Sequence, residues 1–476
     1  MVFSSIVFLF YFLPLTILFY YMIPKNGRNG VLFFLSLIFY AWGEPIYVFL
    51  MFFSILCNFI LGLRLDAAKR KKNEKEPKVW LFFAVAVNIG LLGFFKYADF
   101  LIENINYFFH MDIAQLALPL PLGISFYTFQ AMSYLIDLYR GKVEVQKNLI
   151  HFGTYVALFP QLIAGPIVRF SDIAAQLEHR EESWGLFSEG VLRFICGLSK
   201  KVLLANYAGL VFSQIGGMQA GGVSVLSAWI GILMFTFQIY FDFSGYSDMA
   251  IGLGKMFGFT FPENFNYPYT AKSITDFWRR WHMTLGTWFR EYVYIPLGGN
   301  RTGLKCQILN LLIVWALTGI WHGASWNFVI WGLYFGIILI LEKIFLLNWE
   351  KKMPSVFQHG ITFFLIVISW VIFSFDSPQE ILRYLQSLFG LAGDSIVDLE
   401  GLYLLKSNLL LLIVMAIGVT SLPHRGIQKV RAYLSGTKRR NIAYCAVQSI
   451  GIVMLLILVT AFLVSSSYNP FLYFRF

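Results

Sequence analysis

The sequence predicts an all-α integral membrane protein, built as a polytopic bundle of transmembrane helices. Of its 476 residues, 58% are hydrophobic and only 13% are charged, and the mean hydropathy is +0.66. These proportions do not fit a soluble globular protein. Because a bilayer-spanning helix needs about 20 apolar residues, the apolar runs leave room for roughly ten to twelve spans plus short or re-entrant helices.

The first and last apolar runs indicate helices rather than the strands of a β-barrel. The runs VFSSIVFLFYFLPLTILFYYMI and NIAYCAVQSIGIVMLLILVTAFLV are apolar all round, whereas barrel strands alternate apolar and polar residues. Lys25 and Arg28 follow the first run without a small-residue cleavage site. We therefore expect that run to be retained as a span rather than removed as a signal peptide.

The charges between the apolar runs predict the orientation in the membrane. Residues 64–78 carry seven basic and three acidic side chains, and residues 424–440 carry six basic and none acidic. Both segments are expected to be cytoplasmic, and the acidic segment 376–400 is expected to be external. Because the basic residues behind the net charge of +11 lie mostly between apolar runs, they indicate orientation rather than a nucleic-acid partner. Membrane lipids are the expected surroundings.

Polar residues interrupt the apolar pattern mainly within residues 235–336, in segments such as FDFSGYSD and LTGIWHGASWNFVIWG. Polar groups at membrane depth cost several kcal/mol unless they are paired or face a watery cavity. We therefore expect one integral membrane domain, residues 1–476, with a catalytic or transport core at about 235–336. Asp242 and Asp248 are expected to have partners inside the protein, and the alternative is that this segment serves helix packing through FSGYS.

His322 is the first candidate catalytic residue. It lies within an apolar stretch beside Trp321, with Asn327 five residues further on. Burial disfavours the charged imidazolium, and a neutral imidazole can accept a proton from an attacking hydroxyl group. Trp321 and Asn327 are the candidate substrate contacts. The alternative is a core histidine that satisfies one hydrogen bond.

His282 is the second candidate, in the segment ITDFWRRWHMTLGTWFREY. Asp276 precedes Arg279 and Arg280 at helical spacing, which favours ion pairing. The two arginines could bind the phosphates of a charged donor. The alternative is a structural polar cluster at the membrane surface.

Familiar soluble-enzyme signatures are absent from the sequence. It contains no GxSxG, Walker or Rossmann motif, no HExxH and no HxxxxD. The four cysteines lack CxxC spacing, so they predict no metal site and are expected to be buried free thiols. From the residues alone, a transporter or flippase of an envelope precursor remains an alternative to an enzyme.

Five segments resemble the membrane-bound O-acyltransferase (MBOAT) family, and within it the bacterial alginate O-acetyltransferase branch. They are PLGISFYTFQAMSYLIDLYRG, FPQLIAGPIVR, QIYFDFSGYSDMAIGLGKMFGF, DFWRRWHMTLGTWFREYVYIPLGGNR and GIWHGASWNFVIWGLYFG. The resemblance implies a helical bundle that encloses a tunnel, and His322 and His282 match the motif histidines of the family.

The resemblance also implies the reaction. An acetyl group would leave a cytoplasmic acyl thioester, with acetyl-CoA the preferred donor, and no cofactor would be bound. The acceptor would be a hydroxyl of an extracytoplasmic polysaccharide such as alginate, peptidoglycan or another envelope glycan. The implied partner is an extracytoplasmic SGNH-type acetyltransferase, and the implied location is the bacterial inner membrane.

The C-terminal tail, residues 465–476, is rich in aromatic side chains. The pattern alone favours an aromatic belt at the membrane surface. The tail also resembles a short aromatic motif of the same branch, in which a tyrosine is implied to carry the acyl group. On that basis Tyr473 is a candidate nucleophile that His322 would activate.

Overall fold

A computed structural model describes residues 1–71, 73–163, 165–218, 222–301, 303–350, 352–434, 438–465 and 468–469. Every regular element in these ranges is helical, as the sequence predicts. The α-helices are α1 (Leu13–Met22), α2 (Arg28–Gly43), α3 (Tyr47–Lys69), α4 (Lys75–Phe109), α5 (Ile124–Arg140), α6 (Leu149–Ala157), α7 (Phe159–Leu162), α8 (Phe170–Glu178), α9 (Trp184–Ser199), α10 (Asn206–Met218), α11 (Val225–Met256), α12 (Ile274–Trp278), α13 (Met283–Phe289), α14 (Leu304–His322), α15 (Trp326–Leu341), α16 (Leu347–Glu350), α17 (Ser355–Ser374), α18 (Pro378–Leu388), α19 (Leu399–Gly418), α20 (Leu422–Leu434) and α21 (Lys438–Ser465).

Nine helices in the described ranges are long and apolar enough to cross a membrane. They are Tyr47–Lys69, Lys75–Phe109, Trp184–Gly216, Val225–Met256, Leu304–His322, Trp326–Leu346, Ser355–Ser374, Leu399–Gly418 and Ile442–Ser465. The first apolar run forms only the shorter helix Phe8–Met22, and α2 has 16 residues. These helices make the chain a multi-pass membrane protein with the predicted polytopic helical fold.

The chain forms two compact units. The first comprises Met1–Phe194, Ser247–Glu263 and Thr287–Val293. In this unit α5 packs against α3, α4, α6 and α8, and nearly all of its side chains are buried. A second centre of packing is a group of phenylalanine rings from the N-terminal segment, α2 and α7: Phe3, Phe8, Phe12, Phe39 and Phe159.

The second unit comprises Ile195–Tyr246, Asn264–Gly286 and Tyr294–Phe476. Within it, α14 and α15 pack against each other as a hairpin. A Cβ atom added to Gly319 would collide with the backbone carbonyl of Phe328, and one added to Gly332 would collide with that of Trp315. Glycine at these two positions therefore allows the helices to pack backbone against backbone. The extended Gly323, with φ −171°, ends α14 and makes His322 its last residue.

The buried Asp242 and the half-buried Asp248 each have a basic partner inside the protein, as the sequence predicts. In the second unit, Lys201 Nζ lies 2.6 Å from Asp242 Oδ1, and both side chains are almost fully buried. In the first unit, Arg193 Nη2 lies 2.9 Å from Asp248 Oδ1. Pairing offsets the large cost of taking each charge out of water.

The prediction that all four cysteines are buried is wrong. Cys196, Cys306 and Cys445 are exposed, and Cys57 is half-buried. The three exposed cysteines lie on helices long and apolar enough to span the membrane. Because such helices are apolar on the lipid-facing side too, hydropathy does not distinguish contact with protein from contact with lipid.

Candidate active site

His322 lies in an aromatic enclosure within the second unit. Its ring centroid is 4.9 Å from that of Trp321, 4.9 Å from that of Trp331 and 5.5 Å from that of Phe373. The three contacts are edge-on, and 7% of the residue is exposed. Three aromatic rings therefore line the imidazole of His322 within the second unit.

Asn327 lies on α15, the helix whose Trp331 ring contacts His322. It is the second residue of α15, four residues before Trp331, so both side chains lie on the same face of the helix. Asn327 is fully buried. Within the described ranges, neither its amide oxygen nor its amide nitrogen has a hydrogen-bond partner, and the same holds for Trp331 Nε1. Asn327 and Trp331 thus offer N–H donors and one oxygen acceptor that no described residue uses.

His282 is held quite differently, by hydrogen bonds in a turn between α12 and α13. Its φ is +44°, an uncommon value for a residue with a side chain. Its Nδ1 lies 3.1 Å from Asn264 Oδ1, which also accepts from the Thr284 backbone N–H at 3.3 Å and the Thr284 hydroxyl at 2.9 Å.

These contacts define the protonation of His282. An amide oxygen only accepts, so Nδ1 carries the hydrogen and donates it to Asn264, while Nε2 is the acceptor nitrogen. His282 lies outside the nine candidate spans, and burial lowers the pKa of its imidazole. Near pH 7 the ring is therefore neutral, with a defined tautomer.

A carboxylate anchors the helix that precedes His282. Glu342 is almost fully buried. Its Oε1 accepts from the Ile274 backbone N–H at 2.6 Å, and its Oε2 accepts from the Thr275 backbone N–H at 2.8 Å and hydroxyl at 2.6 Å. The carboxylate thereby satisfies N–H groups that the first turn of α12 leaves unpaired.

The two histidines flank one side chain. The ring centroid of Trp321 is 6.0 Å from that of His282 and 4.9 Å from that of His322. Trp321 is almost fully buried. The second unit therefore brings together three of the residues that the sequence singled out, His282, Trp321 and His322. Asn327 lies on the helix that contacts His322 through Trp331.

The arginines occupy another position. Arg280 Nε donates to Asp276 Oδ1 at 2.8 Å, which is one of the two pairings that the spacing favours. Arg279 is exposed. Among the residues that the structure describes, neither guanidinium group is hydrogen-bonded to a histidine. Arg279 is thus open to solutes that reach this surface, whereas Arg280 shares its guanidinium group with Asp276.

Tyr473, the candidate nucleophile, lies outside the described residues. The described part of the tail is Tyr468–Asn469, which belongs to the second unit. Asn206 Nδ2 donates to Asn469 Oδ1 at 3.2 Å, and a Cβ atom added to Gly209 would lie 3.1 Å from Tyr468 Oη. Glycine at position 209 therefore leaves room beside α10 for Gln238, which lies nearest, and for the tyrosine.

Sequence reasoning missed the supporting residues Asn264, Glu342 and Asn206. Each contacts a residue far away in sequence: Asn264 lies 18 positions from His282, Glu342 lies 68 from Ile274, and Asn206 lies 263 from Asn469. Only Glu342 had a signal in the sequence: it is a charged residue in an apolar run, and such residues need partners inside the protein.

The fold is that of a multi-pass membrane protein, and its second unit holds two buried histidines that contact one tryptophan. The family model for the membrane-bound O-acyltransferase family, MBOAT, matches residues 34–378. The chain therefore belongs to that family, as the motifs predicted, and it is an acyltransferase. The transporter or flippase interpretation is set aside.

Three relatives illustrate the similarity. Over 489 residues the chain is 38% identical to a Pseudomonas putida protein described as "Probable alginate O-acetylase AlgI", and the match covers 100% of both chains. It is 43% identical over 393 residues to the Pseudomonas aeruginosa protein of the same description, covering 82% of this chain and 75% of the relative. It is 37% identical over 435 residues to the peptidoglycan O-acetyltransferase of Helicobacter pylori, covering 84% and 82%.

Proposed function

We propose that this enzyme moves an acetyl group from a cytoplasmic thioester, acetyl-CoA, toward an extracytoplasmic polysaccharide at the bacterial inner membrane. The relatives named for alginate and peptidoglycan acetylation support an envelope glycan as the final acceptor. The observation that carries the proposal is the pair of buried histidines in contact with Trp321. The site lies within one catalytic membrane domain, residues 1–476.

In this proposal His322 is the general base. Its neutral imidazole takes the proton of the attacking hydroxyl as that oxygen bonds to the thioester carbonyl carbon. The carbon–sulfur bond then breaks, and the departing thiolate takes up a proton to give the free thiol. His282, with Arg279 and Arg280, belongs to the donor side, where the guanidinium groups meet the phosphates of CoA.

The attacking hydroxyl is that of Tyr473. An acetyl ester on this tyrosine would let the acetyl group pass through a tunnel in the bundle while CoA stays in the cytoplasm. The seating of Tyr468–Asn469 against Asn206 supports this role, because the tail emerges from the same unit that holds the histidines.

The second half of the proposal involves an external partner. A serine of an extracytoplasmic SGNH-type acetyltransferase attacks the acetyl-tyrosine ester, and the tyrosine leaves as a phenol that recovers its proton. The partner then passes the acetyl group to a glycan hydroxyl. Each transfer exchanges one ester or thioester for another, so no oxidant or cofactor is required.

The test is mass spectrometry of the C-terminal peptide after the purified protein has been incubated with acetyl-CoA. We expect one acetyl group on Tyr473 in the wild type and none in Tyr473→Phe, which keeps the ring and removes only the hydroxyl. Tyr468→Phe is the matched control, since it removes a tail hydroxyl five residues earlier.

Glycan acetylation in cells completes the test. Tyr473→Phe should lose it, and Tyr468→Phe should retain it. Full acetylation by Tyr473→Phe would overturn the relay and leave the tail as a membrane anchor. If neither the wild type nor any variant transfers acetyl groups from acetyl-CoA to protein or glycan, the proposed donor is wrong.

A further inference from the structure

Helix α20, Leu422–Leu434, is a surface element with no part in the proposed chemistry. It belongs to the second unit. All of its side chains except that of Leu434 are exposed. A helix so exposed over its whole length gains little from packing against its own chain.

The sequence of α20 is divided cleanly between two faces. At 100° per residue, the apolar side chains fall on one side of the helix and the basic and amide side chains fall on the other. The apolar face consists of Leu422, Ile427, Val430, Tyr433 and Leu434, and the polar face consists of His424, Arg425, Gln428, Lys429 and Arg431. The exposed fractions on the apolar face are 60% for Leu422, 59% for Ile427, 53% for Val430 and 72% for Tyr433.

The charge of the segment has one sign. Residues 424–440 contain six lysine and arginine side chains and no acidic ones. The Arg440 guanidinium lies over the Tyr433 ring, 5.3 Å from its centroid. The basic groups therefore cluster on and beside the helix, and they favour a negatively charged partner.

The neighbours of α20 place it at a membrane surface. It follows α19 and precedes α21, and both of those helices include segments apolar and long enough to span the bilayer. Only residues 419–421 separate α19 from α20. An exposed apolar face at that location has acyl chains within reach, and burying it there removes apolar surface from water.

We propose that α20 lies in the plane of the cytoplasmic membrane interface and binds anionic phospholipids. Its apolar face enters the boundary between headgroups and acyl chains, and Arg425, Lys429 and Arg431 contact lipid phosphates. The helix thereby fixes the loop between α19 and α21 to the bilayer surface. An acidic protein is the competing partner that the same charge would attract.

Nitroxide labels on the two faces test the proposal. In a cysteine-free background, the label is attached at Ile427→Cys on the apolar face and, as the matched control, at Gln428→Cys on the polar face. The protein is reconstituted into phosphatidylcholine vesicles with and without phosphatidylglycerol, and collision with oxygen is compared with collision with a water-soluble nickel chelate. With phosphatidylglycerol, we expect oxygen to dominate at position 427 and the nickel chelate at position 428.

Charge reversal separates anionic-lipid binding from simple hydrophobic contact. A lysine or arginine at an anionic surface contributes about fivefold to binding. The double variant Lys429→Glu, Arg431→Glu should therefore reduce the ratio of docked to undocked helix, reported by the 427 label, by about 25-fold or more. High salt should act in the same direction on the wild-type charges. Acetyl transfer in detergent, which does not involve α20, reports that the variant is folded.

Two results would overturn the proposal. One is equal access of the nickel chelate to positions 427 and 428 in phosphatidylglycerol vesicles. The other is protection of position 427 only after an acidic acyl-carrier protein has been added, which would identify α20 as a protein-docking helix.

Discussion

Two buried asparagines serve the two histidines of the second unit in opposite ways. The Asn264 oxygen accepts hydrogen bonds from His282 and from the backbone and hydroxyl of Thr284. Asn327, on the helix that packs against His322, has no partner at either amide atom within the described part of the chain. The first amide holds the His282 imidazole in place, whereas the second retains its full hydrogen-bonding capacity.

This difference indicates different tasks for the residues around His282 and those around His322. A buried polar group without a partner costs about 1–3 kcal/mol of stability. Such a cost at a site of chemistry is typical of groups that are kept for a ligand. We therefore interpret the His282 region as a fixed support and the His322 region as the place where the acyl group and its acceptor meet.

The sharpest test of this comparison is His322→Gln. Loss of a positioned general base lowers the rate about 10²- to 10⁴-fold. Glutamine fills similar space and keeps a polar end, so we expect normal expression and an unchanged melting temperature. Acetyl transfer from labelled acetyl-CoA in membranes gives the rate.

His424→Gln is the control for this variant, because His424 is exposed on α20. It should transfer acetyl groups at the wild-type rate. Near wild-type transfer by His322→Gln would remove His322 from its role as base and would leave its aromatic enclosure as packing.

Asn264→Leu tests whether the hydrogen bond from His282 to Asn264 holds the imidazole in place. It leaves the buried Nδ1–H of His282 without its acceptor and allows the other tautomer, so we expect a loss of about 1–3 kcal/mol in stability. Activity should fall about 10- to 100-fold, in proportion to that free energy. Thermal unfolding in detergent and transfer assays measure the two effects.

Thr284→Val is the matched control for Asn264→Leu. It removes only the hydroxyl donor to Asn264 and leaves the contact with His282 intact, so it should retain most activity. Equal losses in the two variants would mean that the whole turn, rather than the histidine contact, limits activity.

Much of this arrangement was predictable from the sequence. Apolar runs indicate the polytopic helical fold, and a histidine within such a run marks His322 because burial of a polar side chain needs a reason. The segment that contains His282 was recognisable because its sequence resembles a motif of the MBOAT family. These signals are local, so a single segment carries them.

The remaining features depend on contacts between distant segments. Nothing near Glu342 in sequence indicates that its carboxylate meets the first turn of α12, 68 residues away. The positive φ of His282 is equally invisible, because the residue type does not favour it and tertiary contacts impose it. The mistaken expectation for the cysteines has a related cause, since lipid and protein interiors select similar side chains.

Asn327→Leu should act with opposite signs on stability and activity. The substitution replaces an amide without partners by an apolar group of similar size, so we expect stability to rise by about 1 kcal/mol. Transfer should fall about tenfold, because one hydrogen bond to the reacting groups is lost. Thermal unfolding in detergent measures the change in stability, and the acetyl-transfer assay measures the change in activity.

Asn310→Leu controls for a general preference of membrane proteins for leucine. Asn310 Nδ2 donates to the backbone carbonyls of Leu297 at 3.2 Å and Gly299 at 3.0 Å, so its replacement should lower stability. A fall in stability for Asn327→Leu as well would contradict the contrast between the two asparagines.

The smallest expected effect concerns Arg280, which lies two residues before His282. If its guanidinium holds donor phosphates, Arg280→Ala should raise the KM for acetyl-CoA about three- to tenfold, with kcat little changed. The KM should also depend less on salt, since one screened attraction is gone.

Asp276→Asn is the matched variant, because it removes the carboxylate that pairs with Arg280 at 2.8 Å and leaves the cation in place. Under the donor-binding interpretation, Asp276→Asn keeps or lowers the KM, since the guanidinium no longer divides its hydrogen bonds between carboxylate and phosphate. If instead both variants yield less folded protein and the same KM, the pair is a structural element of the turn that leads to His282, and the donor phosphates bind elsewhere.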